Sequence, residues 1–297
     1  MAIPEDQLDT WSKQGSVTQS KNTYATIKGA LEDPASAYYQ RTFSVFLQGS
    51  YGNDTNIYAD SDVDVVLRLD STFNYSLGNL QEPSISSFQA AYPNIAYGYT
   101  EFKKEVVAWL TSKFGAAVHP GKKAIRIDGN GNRRDADVLP CVTHREYYKF
   151  NSINDQSYHE GICFFLPDGT KVVNYPKQHS ANLTTKHQST HGMLKPSVRI
   201  LKNMRNRMID DGVIEDGLAP SYFLEGMLSN VPNGYFNNLS YQQTIAQALA
   251  WVAKSNHDEL VCANGIHYLR RRGYVECWDT DKFEEYLDKV LDYWNNW

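Results

Sequence analysis

The feature of this sequence that most constrains its fold is a short polar stretch between two apolar runs. Residues 43–47 and 63–69 are the apolar runs, and their length and composition predict buried strands. Gly49-Ser50 follows the first run, and Asp62-x-Asp64 opens the second. Because side chains of a strand alternate between its faces, residues two apart point the same way. The sequence therefore predicts two neighbouring strands, a tight turn after the first and a pair of carboxylates that project together from the second.

Two carboxylates held this close repel each other unless a cation neutralises them, and carboxylate oxygens suit hard divalent ions such as magnesium. A third carboxylate is available in residues 133–140, where Asp135 and Asp137 share one face of another predicted strand. Three carboxylates on neighbouring strands are enough for two metal ions that assist a phosphoryl displacement. The alternation of faces leaves either Asp135 or Asp137 as the third ligand. The competing interpretation for each acidic residue is a solvated strand end.

The Gly49-Ser50 turn is suited to a phosphate group. Glycine permits close approach of the backbone, and the exposed amides and the Ser50 hydroxyl can donate hydrogen bonds to phosphate oxygens. Thr55 offers another hydroxyl to the same pocket. The chain lacks the long glycine-rich loop that ends in Gly-Lys-Ser/Thr, so a P-loop ATPase is disfavoured.

Two predicted helices further along the chain offer additional anion-binding groups. Lys195, Arg199 and Lys202 recur at spacings of four and three, which places them on one helix face. This positive face could bind a triphosphate, and a solvated basic face is the competing interpretation. Ser221 begins another helix, where free amides, the helix dipole and its hydroxyl favour an anion. The neighbouring Tyr222 ring is suited to stack on a base, and packing in a core is its alternative.

The periodicity of the sequence divides the chain into two regions of different character. Residues 5–32 are predicted to form two helical pieces, interrupted at Gly15-Ser16, of which the second braces the sheet. Residues 70–93 are predicted to be a long connection with a short helix. Other predicted elements are a helix over 99–113, strands over 124–127, 136–142, 161–166 and 171–174, and helices over 194–208, 221–228, 241–253 and 282–294. The expected domains are a catalytic core over 1–175 and a helical lobe over 176–297 that closes a nucleotide cleft.

Composition excludes several classes of protein. The 297 residues are 41% hydrophobic with a net charge of -5, so the chain as a whole does not attract nucleic acid or anionic membranes. No apolar run approaches the roughly 20 residues that span a bilayer, and the first residues lack the pattern of a signal peptide. The four cysteines form no Cys-x-x-Cys pair. The expected location is the cytoplasm, with no membrane partner.

The ordered set of motifs resembles the cyclic GMP-AMP synthase and dinucleotide-cyclase-like nucleotidyltransferases, in particular the bacterial CD-NTases of anti-phage (CBASS) signalling systems. The resemblance covers nearly the whole chain. The motifs that carry it are Gly49-Ser50 with Thr55, Asp62-x-Asp64, Asp137 with Val138-Leu-Pro140, Asn174-Tyr-Pro-Lys-Gln-His179, Arg199-Ile-Leu-Lys202 and Ser221-Tyr222-Phe-Leu-Glu225.

The resemblance implies an α+β, bilobed nucleotidyltransferase fold of the polymerase-beta-like type. It also implies two magnesium ions, replaceable by manganese, and it selects Asp137 over Asp135 because Asp137 precedes Val-Leu-Pro. The implied metal ligands and catalytic residues are Asp62, Asp64 and Asp137. The implied nucleotide-binding residues are Gly49, Ser50 and Thr55 around the donor triphosphate, Lys202 and Ser221 on its phosphates, and Tyr222 on a base.

The implied activity joins nucleoside triphosphates, ATP and/or GTP above all, into a cyclic di- or trinucleotide and releases pyrophosphate. A separate effector protein would read this product. The alternative is a non-cyclising enzyme that adds nucleotides to RNA or AMP to a protein. A nucleotide-sensing pseudoenzyme would require a broken metal site, but all three carboxylates are present. The zinc-binding insertion of the animal DNA sensor is missing, so direct activation by double-stranded DNA is not expected, and the chain is expected to be a monomer.

Overall fold

A computed structural model of the chain describes residues 3–15, 17–58, 62–92, 98–237 and 240–297. The chain divides into two compact units. The helical unit comprises Met1–Ser16, Gly49–Asp60 and Pro176–Trp297, and the sheet unit comprises Val17–Gln48 and Ser61–Tyr175. The start of the last segment at residue 176 coincides with the expected domain boundary. Two earlier segments nevertheless belong with the C-terminal helices and not with the sheet.

The helices of the described residues are α1 (Glu5–Ser12), α2 (Thr18–Leu31), α3 (Gly49–Asn53), α4 (Ser84–Ala91), α5 (Tyr99–Phe114), α6 (Pro176–Ser189), α7 (Leu194–Asp210), α8 (Ser221–Asn230), α9 (Tyr241–Lys254) and α10 (Thr280–Asn295). The strands are β1 (Phe43–Leu47), β2 (Val63–Ser76), β3 (Val118–Pro120), β4 (Ile125–Ile127), β5 (Ala136–Ser152), β6 (Asp155–Phe165) and β7 (Lys171–Asn174). Single 3₁₀ turns lie at Gly115–Ala117, Asn233–Phe236 and His257–Glu259.

The described strands of the sheet unit form one mixed sheet in the order β1-β2-β5-β4-β3. β2 and β5 run parallel, and the other paired strands are antiparallel. The edge of β5 opposite β2 pairs first with β4 and then, from Val142 onward, with β6, which in turn pairs with β7. Val65, Val66 and Val138 are fully buried, as expected for strands at the centre of a sheet.

Two helices of the sheet unit pack on this sheet. α2 contacts β1, β2 and β5, and α5 contacts β3 and β5. The Trp109 indole nitrogen donates a hydrogen bond to the Ala30 carbonyl oxygen at 2.8 Å, which joins α5 to the end of α2. The second predicted N-terminal helix therefore does brace the sheet, and the predicted helix over 99–113 is confirmed.

The predicted connection after residue 69 is partly wrong, because β2 continues to Ser76. After an irregularity between Leu69 and Phe73, this extension pairs with β5. Its Ser and Asn content is typical of a loop, but Phe73 packs against an aromatic cluster that contains Phe88 of α4. That tertiary contact outweighs the low strand propensity of the polar residues. The short helix within this region is confirmed, whereas Pro93 lies outside the described residues.

The helical unit has its own core, built from apolar faces of α7 to α10 and α1. Val198, Leu224, Leu249 and Tyr286 are buried in it, together with Leu8 of α1. α1 packs on α7 and α9. The first predicted N-terminal helix is therefore part of the helical unit. Within the described ranges, no helix is both long enough and apolar enough to cross a membrane.

Candidate active site

The sheet unit brings the predicted acidic residues of two strands together. Asp64 of β2 lies directly opposite Asp137 of β5 in the parallel register, and both side chains are half-buried. Side chains of directly opposed residues in neighbouring strands lie on the same face of a sheet. Asp62 is half-buried as well and immediately precedes β2. The expectation that the third carboxylate lies on a strand beside the first pair is confirmed.

The electrostatics of this face favour a bound cation. Burial raises the pKa of the Asp137 carboxyl group, and the negative charges of Asp62 and Asp135 raise it further. The Arg126 guanidinium acts in the opposite direction but does not cancel these effects. The negative charges of Asp62 and Asp135, which disfavour ionisation of Asp137, would attract a cation placed here.

The structure distinguishes Asp135 from Asp137, which the strand pattern left as alternatives for the third carboxylate. Asp135 accepts a hydrogen bond from the Gly129 amide at 2.6 Å and forms an ion pair with Arg126 at 2.9 Å. Its backbone carbonyl also accepts the Val63 amide at 3.0 Å. Asp135 thus holds the turn between β4 and β5 together, which favours Asp137 as the third carboxylate.

The metal site itself stays a prediction. Among the residues that the structure describes, no three His, Cys, Asp or Glu side chains are grouped so that they could hold a metal ion. The chemistry of the donor set nevertheless fits a hard divalent cation, because Asp62, Asp64 and Asp137 offer only carboxylate oxygens.

In the helical unit, the Gly49-Ser50 turn forms the first turn of α3. Gly49 has a φ of 63°, in the left-handed region where glycine is strongly preferred. Ser50 is half-buried, and its carbonyl oxygen accepts the Thr55 amide at 3.0 Å. The entry to α3 therefore depends on a glycine, and Ser50 is linked through the backbone to Thr55.

Thr55 belongs to a buried polar cluster around Glu225. Its hydroxyl donates to one Glu225 carboxylate oxygen, while the Asn53 side chain donates to the other at 3.1 Å. The His179 Nε2 atom lies 2.6 Å from that second oxygen. Burial alone would raise the pKa of Glu225, but His179, the Thr55 hydroxyl and the Lys202 charge together lower it. These partners therefore favour the ionised form of Glu225 inside the helical unit.

The basic residues that were predicted to share one face of α7 contact residues 54 and 55 of the same chain. The Lys202 ammonium group is fully buried and donates to the Thr55 carbonyl oxygen at 3.1 Å. Lys195, also buried, lies 3.0 Å from an Asp54 carboxylate oxygen, and Arg199 donates to the Asp54 carbonyl oxygen at 2.7 Å. The interpretation of a solvated face is therefore wrong for Lys195 and Lys202. A phosphate contact by Lys202 stays a prediction, because its ammonium group has a protein partner here.

Ser221 and Tyr222 occupy the first turn of α8, as predicted. Ser221 is half-buried, and its hydroxyl lies 3.4 Å from an Arg205 guanidinium nitrogen. The Tyr222 ring stacks on His179 with ring centroids 4.7 Å apart and an interplanar angle of 23°. The Tyr222 hydroxyl accepts a hydrogen bond from Asn264 at 3.0 Å. One face of the ring is therefore covered, and stacking of a base on Tyr222 stays a prediction.

The sequence interpretation gave no role to Glu225, His179 or Asn53. A signal for Glu225 was present, because it is a charged residue inside the apolar run of α8. Its neighbours Leu224 and Met227 are fully buried. Glutamate is rarely buried without partners, so its position within this pattern indicates a polar cluster.

Comparison with known proteins gives a consistent result. Residues 181–295 match the family described as cGAS/DncV-like nucleotidyltransferase C-terminal helical domain. The chain is 36% identical over 299 residues to the cyclic UMP-AMP synthase of Rhodothermus marinus, covering 100% of this chain and 99% of that protein. It is 35% identical over 264 residues to the cyclic dipurine nucleotide synthase of Elizabethkingia meningoseptica, covering 87% and 88%.

Solved structures agree with these sequence matches. The R. marinus CdnE c-UMP-AMP synthase with Apcpp and Upnpp superposes with a TM-score of 0.88 at 35% identity, covering 99% of this chain and 97% of that one. The E. meningoseptica CdnE cyclic dinucleotide synthase with GTP and Apcpp superposes with a TM-score of 0.78 at 31% identity, covering 98% of each chain.

Proposed function

The chain belongs to the cGAS/DncV-like nucleotidyltransferases, and we propose that it joins nucleoside triphosphates into a cyclic di- or trinucleotide with release of pyrophosphate. The observation that carries this proposal is the register of Asp64 against Asp137, with Asp62 adjacent in sequence to β2. The related synthases support the cyclic product. A role for this product as a second messenger in bacterial anti-phage defence, read by a separate effector, is part of the proposal.

Asp62, Asp64 and Asp137 would hold the divalent metal ions, with magnesium as the first candidate and manganese as a substitute. When bound, such ions stabilise negative charge on the attacking and leaving oxygens of a phosphoryl displacement. The three carboxylates would hold the ions beside one face of the sheet. Without bound cations, the negative charges of the three carboxylates would repel a triphosphate.

Asp137 is also the candidate acceptor of the proton that the reaction releases. A ribose hydroxyl oxygen of one nucleotide attacks the α-phosphorus of the other, and the bond between that phosphorus and the bridging oxygen breaks. Pyrophosphate leaves, and the hydroxyl proton passes to the Asp137 carboxylate. A ribose hydroxyl at the other end of the linear product then attacks the α-phosphorus of the triphosphate that this product retains, which closes the ring and releases a second pyrophosphate.

In the helical unit, the Gly49 and Ser50 backbone and the Ser50 hydroxyl would bind the donor triphosphate. Ser221 would add a hydroxyl and the N-terminus of α8 for its phosphates, and Tyr222 would stack on a base. Ser50, Ser221 and Tyr222 are half-buried, which supports contact with a ligand. We propose that both sets of residues, in the sheet unit and in the helical unit, serve the same reaction.

The base composition of the product is the finer part of the proposal. The relatives carry names with different bases, a cyclic UMP-AMP synthase and a cyclic dipurine synthase. We propose that adenine is one of the bases, because Apcpp accompanies both of the related structures.

The decisive experiment incubates the purified protein with magnesium and all four nucleoside triphosphates, each α-labelled in turn, and then adds phosphatase. A cyclic product keeps its label because it has no terminal phosphate, and mass spectrometry then gives its bases. Products whose label is always lost to phosphatase would refute cyclisation and favour the linear alternative. Parallel reactions with an RNA or a protein acceptor test that alternative directly.

A further inference from the structure

Residues 52–56 are anchored at both ends within the helical unit. At the start of this segment, Ser180 of α6 donates a hydrogen bond to the Gly52 carbonyl oxygen at 3.4 Å. At its end, Asn56 exchanges two hydrogen bonds with Gly15, at 3.1 and 3.2 Å. Between these ends, the basic residues of α7 bind oxygen atoms of residues 54 and 55.

Glu225 reaches the same segment from α8. It is only 3% exposed, and its two carboxylate oxygens receive the Thr55 hydroxyl and the Asn53 amide, with His179 beside the second. Each of these groups, if released, would be left buried without its partner, at a substantial cost in free energy. The cluster therefore defines one arrangement of Asn53 and Thr55.

This arrangement extends to the backbone of α3. The Thr55 amide donates to the Ser50 carbonyl oxygen at 3.0 Å, so a shift of Thr55 displaces the peptide group of Ser50. Ser50 is half-buried, whereas Thr55 and Lys202 are fully buried with hydrogen-bond partners in the protein. Direct contact of Thr55 with a nucleotide would require these hydrogen bonds to break.

We propose that Glu225 is a positioning residue, which acts through Thr55 to fix the Ser50 backbone in the geometry that receives a triphosphate. This inference rests on the proposed function for the identity of the ligand. Donor groups that are fixed before binding need no reorganisation when the ligand arrives, and so they bind more tightly. Thr55 serves as the link between Glu225 and Ser50 and does not contact the nucleotide.

The first test compares Thr55→Val with Thr244→Val. Both replacements preserve the shape of a fully buried threonine in the helical unit, but the Thr244 hydroxyl donates to the carbonyl oxygen of Ser240, the residue before α9, at 2.9 Å. We expect Thr55→Val to raise the KM for the triphosphate about tenfold, as for a lost hydrogen bond to a charged group. Thr244→Val should leave KM unchanged, and Thr55→Ser, which keeps the hydroxyl, should restore it.

A double-mutant cycle separates positioning from direct contact. If Glu225 acts through Thr55, Glu225→Gln alone should also raise KM, and combining it with Thr55→Val should add little. If Glu225→Gln leaves KM unchanged, or if the two increases multiply, the proposal is overturned and Thr55 contacts the nucleotide directly.

Hydrogen exchange tests the proposal without any nucleotide or turnover. In Thr55→Val, peptides covering residues 49–56 should exchange faster than in the wild type, while Thr244→Val should leave those peptides unchanged. Equal protection in wild type and Thr55→Val would overturn the proposal, even if Glu225→Gln does not fold. A wild-type protein that makes no product would instead refute the proposed function, and the exchange result would still decide whether Thr55 fixes this segment.

Discussion

Asp64 lies directly opposite Asp137 where β2 and β5 run in parallel, so two segments distant in sequence place carboxylates on one face of the sheet. Asp62 adds a further negative charge that raises the pKa of Asp137. The apolar residues that alternate with these positions in β2, Val63 and Val65, are fully buried in the sheet. We therefore expect substitutions of these carboxylates to leave the fold largely intact.

Asp64→Asn should reduce product formation by at least about 100-fold. Loss of an outer-sphere partner of a metal ion already costs up to about 100-fold, and Asp64 is proposed to bind the metal directly. The side chain keeps its size, so the melting temperature should not fall. Product is measured by phosphatase-resistant label and folding by circular dichroism. The matched control is Asp135→Asn, which removes a neighbouring charge that is paired with Arg126. We expect Asp135→Asn to retain activity within a few-fold. Normal product from Asp64→Asn would contradict the assignment.

Magnesium should stabilise the wild-type protein even without nucleotide, because an ion that binds only the folded state shifts the unfolding equilibrium. Differential scanning fluorimetry with and without EDTA should show a higher melting temperature in millimolar magnesium. The increase should disappear in Asp64→Asn and persist in Asp135→Asn. An equal increase in all three proteins would place the stabilising ion elsewhere.

Asp137 should make stability depend on pH when metal is absent. Its pKa is raised in the folded state, so its contribution favours folding below the ordinary carboxyl pKa of 3.8 and is lost as pH rises through the raised value. At neutral pH in EDTA, Asp137→Asn should therefore be more stable than wild type in urea titrations. The difference should shrink as pH falls toward the ordinary carboxyl range. A variant less stable than wild type at neutral pH would contradict this sign.

Gly49→Ala should lower the free energy of unfolding by about 1 kcal/mol, because φ at residue 49 is 63° and a Cβ atom is disfavoured there. The altered entry to α3 should also raise the KM for the triphosphate. Gly212→Ala is the control, since φ at residue 212 is 70° and its Cβ would meet no atom within 4 Å. It should lose similar stability in urea titrations but leave KM unchanged. A KM increase in both variants would show that reduced stability, and not local geometry, causes it.

Local patterns in the sequence were sufficient for most of the elements. The 3.6-residue period identified the helix over 99–113, because this signal depends only on neighbours in the chain. Alternation predicts that Asp62 and Asp64 project together, but the register that sets Asp64 opposite Asp137 is a pairing of distant segments. The continuation of β2 to Ser76 could not be predicted in this way. Its stability comes from Phe73 packing on a helix that follows, which is a tertiary contact.

The basic face of α7 shows more clearly that local patterns do not predict tertiary contacts. Spacing correctly places Lys195, Arg199 and Lys202 on one side of the helix, but spacing does not reveal what covers that side. The groups that cover it come from Ser12 and from residues 54 and 55, far away in sequence. The charge of a lysine is readable in the sequence, whereas its solvation depends on partners that only the fold supplies.

The membership of residues 49–60 in the helical unit has a consequence for how this protein can be divided. A fragment that begins at residue 176 would lack both α1 and this segment. Without α1, the core residues that pack against Leu8 would be exposed. Without residues 49–60, Lys202 and Glu225 would lose their hydrogen bonds with Thr55. The sheet unit is in effect two inserts, Val17–Gln48 and Ser61–Tyr175, within a discontinuous helical domain. Chimaeras between related enzymes must therefore exchange three segments together if the C-terminal helices are to fold.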